Sequence, residues 1–346
     1  MRHTTLIVGA AVGIAIVLWL IQFTGANEVL HIILGVDLLY IILATFLFIT
    51  ASVMVSIALF VPLKHIGQGS SLRNVIMASF GGQLLGDITP ARSGYFLTPL
   101  ILNKIDNTSV ESSMTGVAAT GAANFFAKAT ISSVALAYFV KYFPLNPTIA
   151  NALILGVLLL IAGGLGLSIF IWGKHLNRRF ERLVKMPLIG RAVRRLELLN
   201  KIRMEGQKVK GCIPYMTILI ILSMVTNAIA LYFISTALEH SISLLNLIFI
   251  VSIVSALMYV PITIAGLGVQ ETGYVVFLTL LGMPLVKATA FALIARFLFT
   301  GTDIIGLQPL LRMRFKGTSR RIDMDSGSHI GPLQVLKNSF ENLKLV

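Results

Sequence analysis

The chain has 346 residues, of which 56% are apolar and only 12% charged, with a formal net charge of +14 and a mean hydropathy of +0.88. A soluble domain carries roughly 45–50% apolar and about 25% charged residues, so a soluble two-domain protein is excluded and an integral membrane protein is indicated. The single cysteine, Cys212, excludes an internal disulfide framework and a thiolate metal site. The histidines form no H-x-x-H pair, so neither a metal nor another cofactor is expected.

The first apolar stretch, Thr4–Phe23, is longer than the ~7–15 residues of a signal-peptide core, which reads it as a retained helix. A second span is expected from about Ile32 to Leu63. Lys64, His65 and Arg73 follow it, which puts that loop and the N-terminus in the cytoplasm. Further full spans are expected at Ser112–Val140, Thr148–Trp172, Cys212–Leu238 and Pro284–Leu307. Residues 174–210 hold 12 Lys/Arg against three acids, and residues 308–346 hold seven against three. Basic blocks beside apolar spans mark cytoplasmic faces. Their partner is anionic lipid headgroup rather than nucleic acid.

Two apolar regions do not fit single spans. Asn74–Ile105 is interrupted at Gly86-Asp87-Ile88-Thr89-Pro90-Ala91-Arg92, and Ser243–Gly282 at Pro261 to Gly268. The half after each break is too short to cross about 30 Å as a helix. Non-helical backbone at membrane depth survives only where protein or a wet cavity covers it. Reading both regions as re-entrant hairpins, one from each side, leaves every basic block in the cytoplasm. The expected fold is therefore all-α and polytopic, with about six full transmembrane helices plus two oppositely oriented re-entrant helical hairpins. The transmembrane domain is 1–310, with a basic interfacial segment at 174–210 and a cytoplasmic basic tail at 311–346. Both termini are expected in the cytoplasm of a plasma-membrane protein, and a homo-oligomer is compatible with the sequence.

The two breaks also repeat each other. Ile88-Thr89-Pro90-Ala91 matches Ile262-Thr263-Ile264-Ala265, and Arg92-Ser93-Gly94-Tyr95 matches Glu271-Thr272-Gly273-Tyr274, with five extra residues in the second copy. Opposed, broken, similar segments are the pattern of an inverted-repeat transporter with a midplane site.

Several residues in this frame could carry function. Arg92 is either a bidentate phosphate clamp or a snorkelling or structurally paired arginine. Pro90 is placed to open the following half-helix, whose N-terminal amides could bind an anion. Glu271, in a first helical turn, is either stabilised by the helix dipole or a proton-binding or counter-ion group that exchanges partners with Arg92. Gly94, Gly266 and Gly268 permit tight backbone at the breaks, and Asp87 is a candidate cap. Thr120, Asn124 and Lys128 share one helix face, as do Arg296, Thr300 and Asp303. Lys128 and Arg296 should face a cavity rather than lipid, and Arg296 is also placed for an ion pair with Asp303 or Glu271.

At these motifs the chain resembles a family: flippase-like membrane proteins related to the transmembrane half of lysylphosphatidylglycerol synthases. Pro90-Ala91-Arg92-Ser93-Gly94 is similar to its Pro-x-Arg-x-Gly segment. Gly266-Leu267-Gly268-Val269-Gln270-Glu271 is similar to its Gly-Leu-Gly-x-x-Glu segment, followed by Leu281-Gly282-Met283-Pro284 and Arg296. The chain departs from the pattern at Tyr95 and Phe96, where an acid is usual, and at Asn124, where a charge is common. The resemblance implies lipid translocation without aminoacyl-transfer chemistry. The expected function is thus movement of an anionic lipid, a phospholipid or polyprenyl-phosphate-linked lipid. The rivals are a secondary transporter of a small soluble anion, a membrane-embedded lipid-modifying enzyme, and a non-transporting scaffold.

Overall fold

A computed structural model describes residues 3–173, 190–260, 263 and 266–311, with side chains from residue 8 to 173 and from residue 200 onward within those ranges. The basic stretch 174–189 and the tail 312–346 lie outside the described residues, as do 261, 262, 264 and 265 of the second break. The protein is an all-α, multi-pass membrane protein. Its helices are α1 (His3–Thr24), α2 (Ala26–Leu34), α3 (Leu38–Ile66), α4 (Leu72–Asp87), α5 (Thr98–Asp106), α6 (Val110–Tyr142), α7 (Pro147–Trp172), α8 (Gly190–Val209), α9 (Ile213–Ala237), α10 (Leu244–Leu257), α11 (Val269–Leu280) and α12 (Leu285–Asp303). Among the described residues five helices are long and apolar enough to cross a membrane, or six if α1 and α2, bent by 90° at Gly25, count as one span.

One expectation is corrected here. The span placed at Ile32–Leu63 is not continuous. Gly35 closes α2 by donating to the carbonyls of His31 and Ile32, and Asp37 starts α3 by accepting from the Leu39 amide at 2.9 Å. Apolarity runs through this junction, but an N-cap acid two residues after a glycine resets the helix. At its other end α3 carries Pro62, whose missing N–H frees the Ala58 carbonyl. The Thr120 hydroxyl of α6 faces that carbonyl at 3.4 Å.

Helices α3 and α9 run antiparallel through the centre. Ala44 and Phe48 share an apolar cluster with Leu231 and Ile234, Ala58 with Ile220 and Met224, and Val61 and Ile66 with Ile213 and Met216. Helix α6 lies along both. Its buried face is built of Ala118, Ala119, Ala122 and Ala123, and such small side chains let helices approach closely where lipid gives no hydrophobic drive.

The broken segments are tied at their ends. Asp106, closing α5, accepts from the Ser71 amide at 3.0 Å and from Asn74 Nδ2 at 2.6 Å, at the start of α4. The end of α5 is therefore held against the start of α4. At the C-terminus of α9, Lys287 of α12 donates to the Leu238 carbonyl at 2.7 Å. That contact brings together the two chain points flanking α10 and α11. Elements α3 to α6 and α9 to α12 thus repeat in kind and order: a long helix, a short helix, a break, a short helix and a long helix.

A polar lock joins α8 to the bundle. Ser112 Oγ donates to Glu205 Oε1 at 2.7 Å and accepts from Gln68 Nε2 at 3.0 Å. Trp172 Nε1 donates to the Gly206 carbonyl at 2.7 Å, and a side chain at Gly206 would collide with Ile171. Glu205 is buried at 9% exposure, and a hydrogen bond to a charged group contributes about 1.5–3 kcal/mol. Glu205→Ala is expected to lower the unfolding free energy by about 2 kcal/mol. Glu205→Gln, which keeps an acceptor for Ser112, should lose less. Thermal unfolding of detergent-purified protein checks the order.

Candidate functional site

The first break is a short loop between α4 and a 3-10 turn at Ser93–Leu97. Ala91 and Arg92 both adopt left-handed backbone, at φ 51 and 56. Two consecutive non-glycine residues there carry strain that the surroundings must offset. Thr89 does much of this: its hydroxyl donates to the Leu85 carbonyl at 2.9 Å and accepts from the Gly94 amide at 2.7 Å. Gly94 is required for packing, because a Cβ there would overlap the Leu85 carbonyl.

This geometry corrects the expected role of Pro90. The helical turn begins at Ser93, not after Pro90, and most amides of the break are already used. Arg92 N–H donates to the Thr89 carbonyl, Ser93 to Pro90 and Tyr95 to Arg92, at 3.1–3.2 Å. The amides of Arg92, Ser93, Gly94 and Tyr95 are therefore not free to cradle an anion.

At the second break Gly266 and Gly268 take φ 71 and 82, values that favour glycine. Helix α1 covers this break, with Gly13 against Leu267 and Ile16 against Gly268. Glu271, 1% exposed, folds back to accept from the Gly268 amide at 2.6 Å. Its other oxygen lies 3.5 Å from Arg296 Nε, and Arg296 Nη1 donates to Gln270 Oε1 at 2.6 Å. Glu271 is thus both a helix cap and an ion-pair partner. Arg92 and Glu271 do not touch.

Arg92 is held from two sides. Its Nη2 lies 2.8 Å from Asp87 Oδ1 and 3.7 Å from Asp303 Oδ2. Its guanidinium sits over the Phe299 ring at 5.1 Å. The Arg296, Thr300 and Asp303 stripe of α12 therefore reaches both breaks: Arg296 pairs with the acid of the second and Asp303 with the arginine of the first. Thr300 Oγ1 is buried without a hydrogen-bond partner.

Two adjoining cavities open beside this arrangement, of about 130 and 70 Å³. Both are lined by Arg92, Lys128, Met224, Asn227, Tyr259 and Phe299. The larger adds Asn124 and Gln83, the smaller Gln270 and Tyr274. At about 10–15 Å³ per water, the larger has room for a phosphate-sized group. Glu271 lines neither cavity, and Gly94, Gly266 and Gly268 contribute backbone shape only.

Lys128 stands apart. It sits midway along α6 with its Nζ 5.7 Å from the Tyr259 ring centre, and among the described residues it makes no ion pair. Asn124 and Asn227 beside it make no hydrogen bond among the described residues, and Gln83 Nε2 is buried without one. These groups form a cationic, donor-rich wall. The sequence reading missed Asn227, Gln83 and Tyr259. Ser223 and Asn227, four residues apart in an apolar span, were the available signal for α9.

Residues 6–302 match the family described as Lysylphosphatidylglycerol synthase TM region. No curated protein and no solved structure matches the chain.

Removing one partner of a buried ion pair costs about 3–5 kcal/mol. Glu271→Ala, which strips both Arg296 and the Gly268 amide, should destabilise by that amount. Lys128→Met removes a cation with no acid partner among the described residues and should leave the unfolding temperature at or above that of the parent. Melting curves of both variants in one detergent test the contrast.

Proposed function

The chain belongs to the lysylphosphatidylglycerol synthase transmembrane-region family, whose members are linked to phospholipid handling, and on that premise we propose that it translocates an anionic lipid across the plasma membrane. The headgroup, of a phospholipid or a polyprenyl-phosphate-linked lipid, passes through the cavity at Lys128 while the hydrocarbon chains stay in the bilayer. The observation that carries this reading is Lys128 itself. A cation at the centre of a membrane helix costs about 2.5–3.5 kcal/mol on insertion scales, and no described acid offsets it. An anionic headgroup does. In return the headgroup, which would face an ionic desolvation cost of tens of kcal/mol in the idealised limit, exchanges water for an ammonium and the donors of Asn124, Asn227 and Gln83.

Alternating exposure follows from the paired architecture. We read the two broken segments as re-entrant hairpins entering from opposite sides, and α3 to α6 and α9 to α12 as inverted repeats that rock about the cavity. The tie between Asp106 and α4, and that between Lys287 and the end of α9, support this reading. The basic segments then lie in the cytoplasm with both termini. A wall of ammonium and amide groups binds rather than cleaves, which favours a transporter over a lipid-modifying enzyme.

Reconstitution tests the proposal. In proteoliposomes the parent protein should equilibrate labelled phosphatidylglycerol between leaflets and leave labelled phosphatidylcholine behind. Lys128→Met, losing a charge-assisted contact of about 1.5–3 kcal/mol, should slow the anionic lipid at least about tenfold. Equal rates for parent and variant would remove Lys128 from the pathway. Uptake of soluble phosphate with no lipid movement would favour the soluble-anion reading.

A further inference from the structure

Beneath the cavity, the charges at the first break do not balance. Asp87 and Asp303 both lie within 4 Å of one nitrogen of Arg92, at 2.8 and 3.7 Å. Their side chains are 2% and 1% exposed. Two ionised carboxylates on one guanidinium leave a net charge of −1 where neither water nor lipid can solvate it. Asp87 Oδ2 and both oxygens of Asp303 are buried with no hydrogen-bond partner, and the two acids crowd the same Arg92 nitrogen. Two acids so placed repel each other when both are ionised, and a proton taken up by either one relieves that repulsion.

We propose that Asp87 and Asp303 form a proton-binding site that holds one exchangeable proton and couples its occupancy to anion binding in the cavity. The coupling rests on the lipid-translocation reading; the proton site does not. One added proton cancels the excess charge, since a protonated acid, a carboxylate and a guanidinium sum to zero. It also withdraws one carboxylate from its claim on Arg92. Arg92 lines both cavities, so its charge is then felt more strongly by an anion beside Lys128. Proton and anion bind together, and by linkage each tightens the other. The pair meets Arg92 of the break, and the other charged or titratable groups around Arg92 are Tyr95 from the 3-10 turn, Tyr259 from beyond α10 and Lys128 of α6, which line the cavity with it. A metal ion fits poorly. No group of three or more His, Cys, Asp or Glu side chains able to hold one occurs among the described residues.

The site is tested without any lipid assay. Infrared difference spectra of the detergent-purified protein, titrated from about pH 5 to about pH 9, should show the carbonyl band of a protonated carboxylic acid. The band should be lost in Asp303→Asn and in Asp87→Asn, two near-isosteric variants whose folding is checked by melting. A parent spectrum with no such band, or a band that survives both substitutions, overturns the proposal. So does a sodium-specific rise in melting temperature, against choline at equal ionic strength, that Asp303→Asn abolishes. In proteoliposomes an imposed pH gradient should change anionic-lipid movement by the parent at least about fivefold, the lower end of ordinary coupling, and leave Asp303→Asn unaffected. A band that behaves as expected in a protein that moves no lipid keeps the proton site and refutes the translocation reading.

Discussion

Two breaks in the backbone put charged side chains where lipid cannot solvate them, and a single face of α12 answers both. Asp303 meets Arg92 of the first break and Arg296 meets Glu271 of the second. The two α12 residues are seven apart, two helical turns on one side, or about 10 Å along the axis. This spacing fixes how far apart the breaks sit. Without these partners Arg92 and Glu271 would face hydrocarbon at greater cost, which is why intramembrane charges pair. The cavity exists because α12 holds the breaks at this separation while α3, α6 and α9 wall the space between.

Pairing also divides the cations by role. Arg92 and Arg296 are engaged with carboxylates and hold the fold together. Lys128 has an aromatic face and amide side chains beside it and, among the described residues, no carboxylate. A cation already matched by two acids is a poor first contact for a phosphate, because the anion must compete with carboxylates held close by. An unmatched ammonium among amide side chains offers attraction with nothing to displace but water. In the proposed cycle Arg92 acts second, and how far it acts depends on whether its own acids are satisfied elsewhere.

The repeated tetrapeptides gain meaning from this arrangement. Arg92 and Glu271, which occupy matching places in the two copies, both pair with α12, with opposite sign. Tyr95 and Tyr274, also matched, line one cavity each. A shared local sequence thus performs a shared structural task at two sites. The five additional residues of the second copy include Gly266 and Gly268, whose left-handed backbone and missing side chains admit α1 onto the break.

Much of the architecture was legible from residue order alone. Span length, the Pro and Gly content of the breaks, and the i, i+4, i+7 stripe on α12 follow from local geometry and the thickness of the bilayer, so the sequence determined an all-α membrane protein with two interrupted segments and intramembrane charges. It could not say which charge meets which. The Arg92 contact with Asp87 is five residues away in the chain, but that with Asp303 is set by which helix packs against the break. The absence of a described partner for Lys128, and the arrival of Asn227 and Gln83 beside it, likewise depend on how alanine-faced α6 seats against α3 and α9. Periodicity shows which side chains share a face; only packing between distant helices decides what that face sees. The same limit explains the misplaced second span and the expected free amides at Pro90, where a cap at Asp37 and a left-handed pair at Ala91 and Arg92 overrode apolar continuity and helix-start preference.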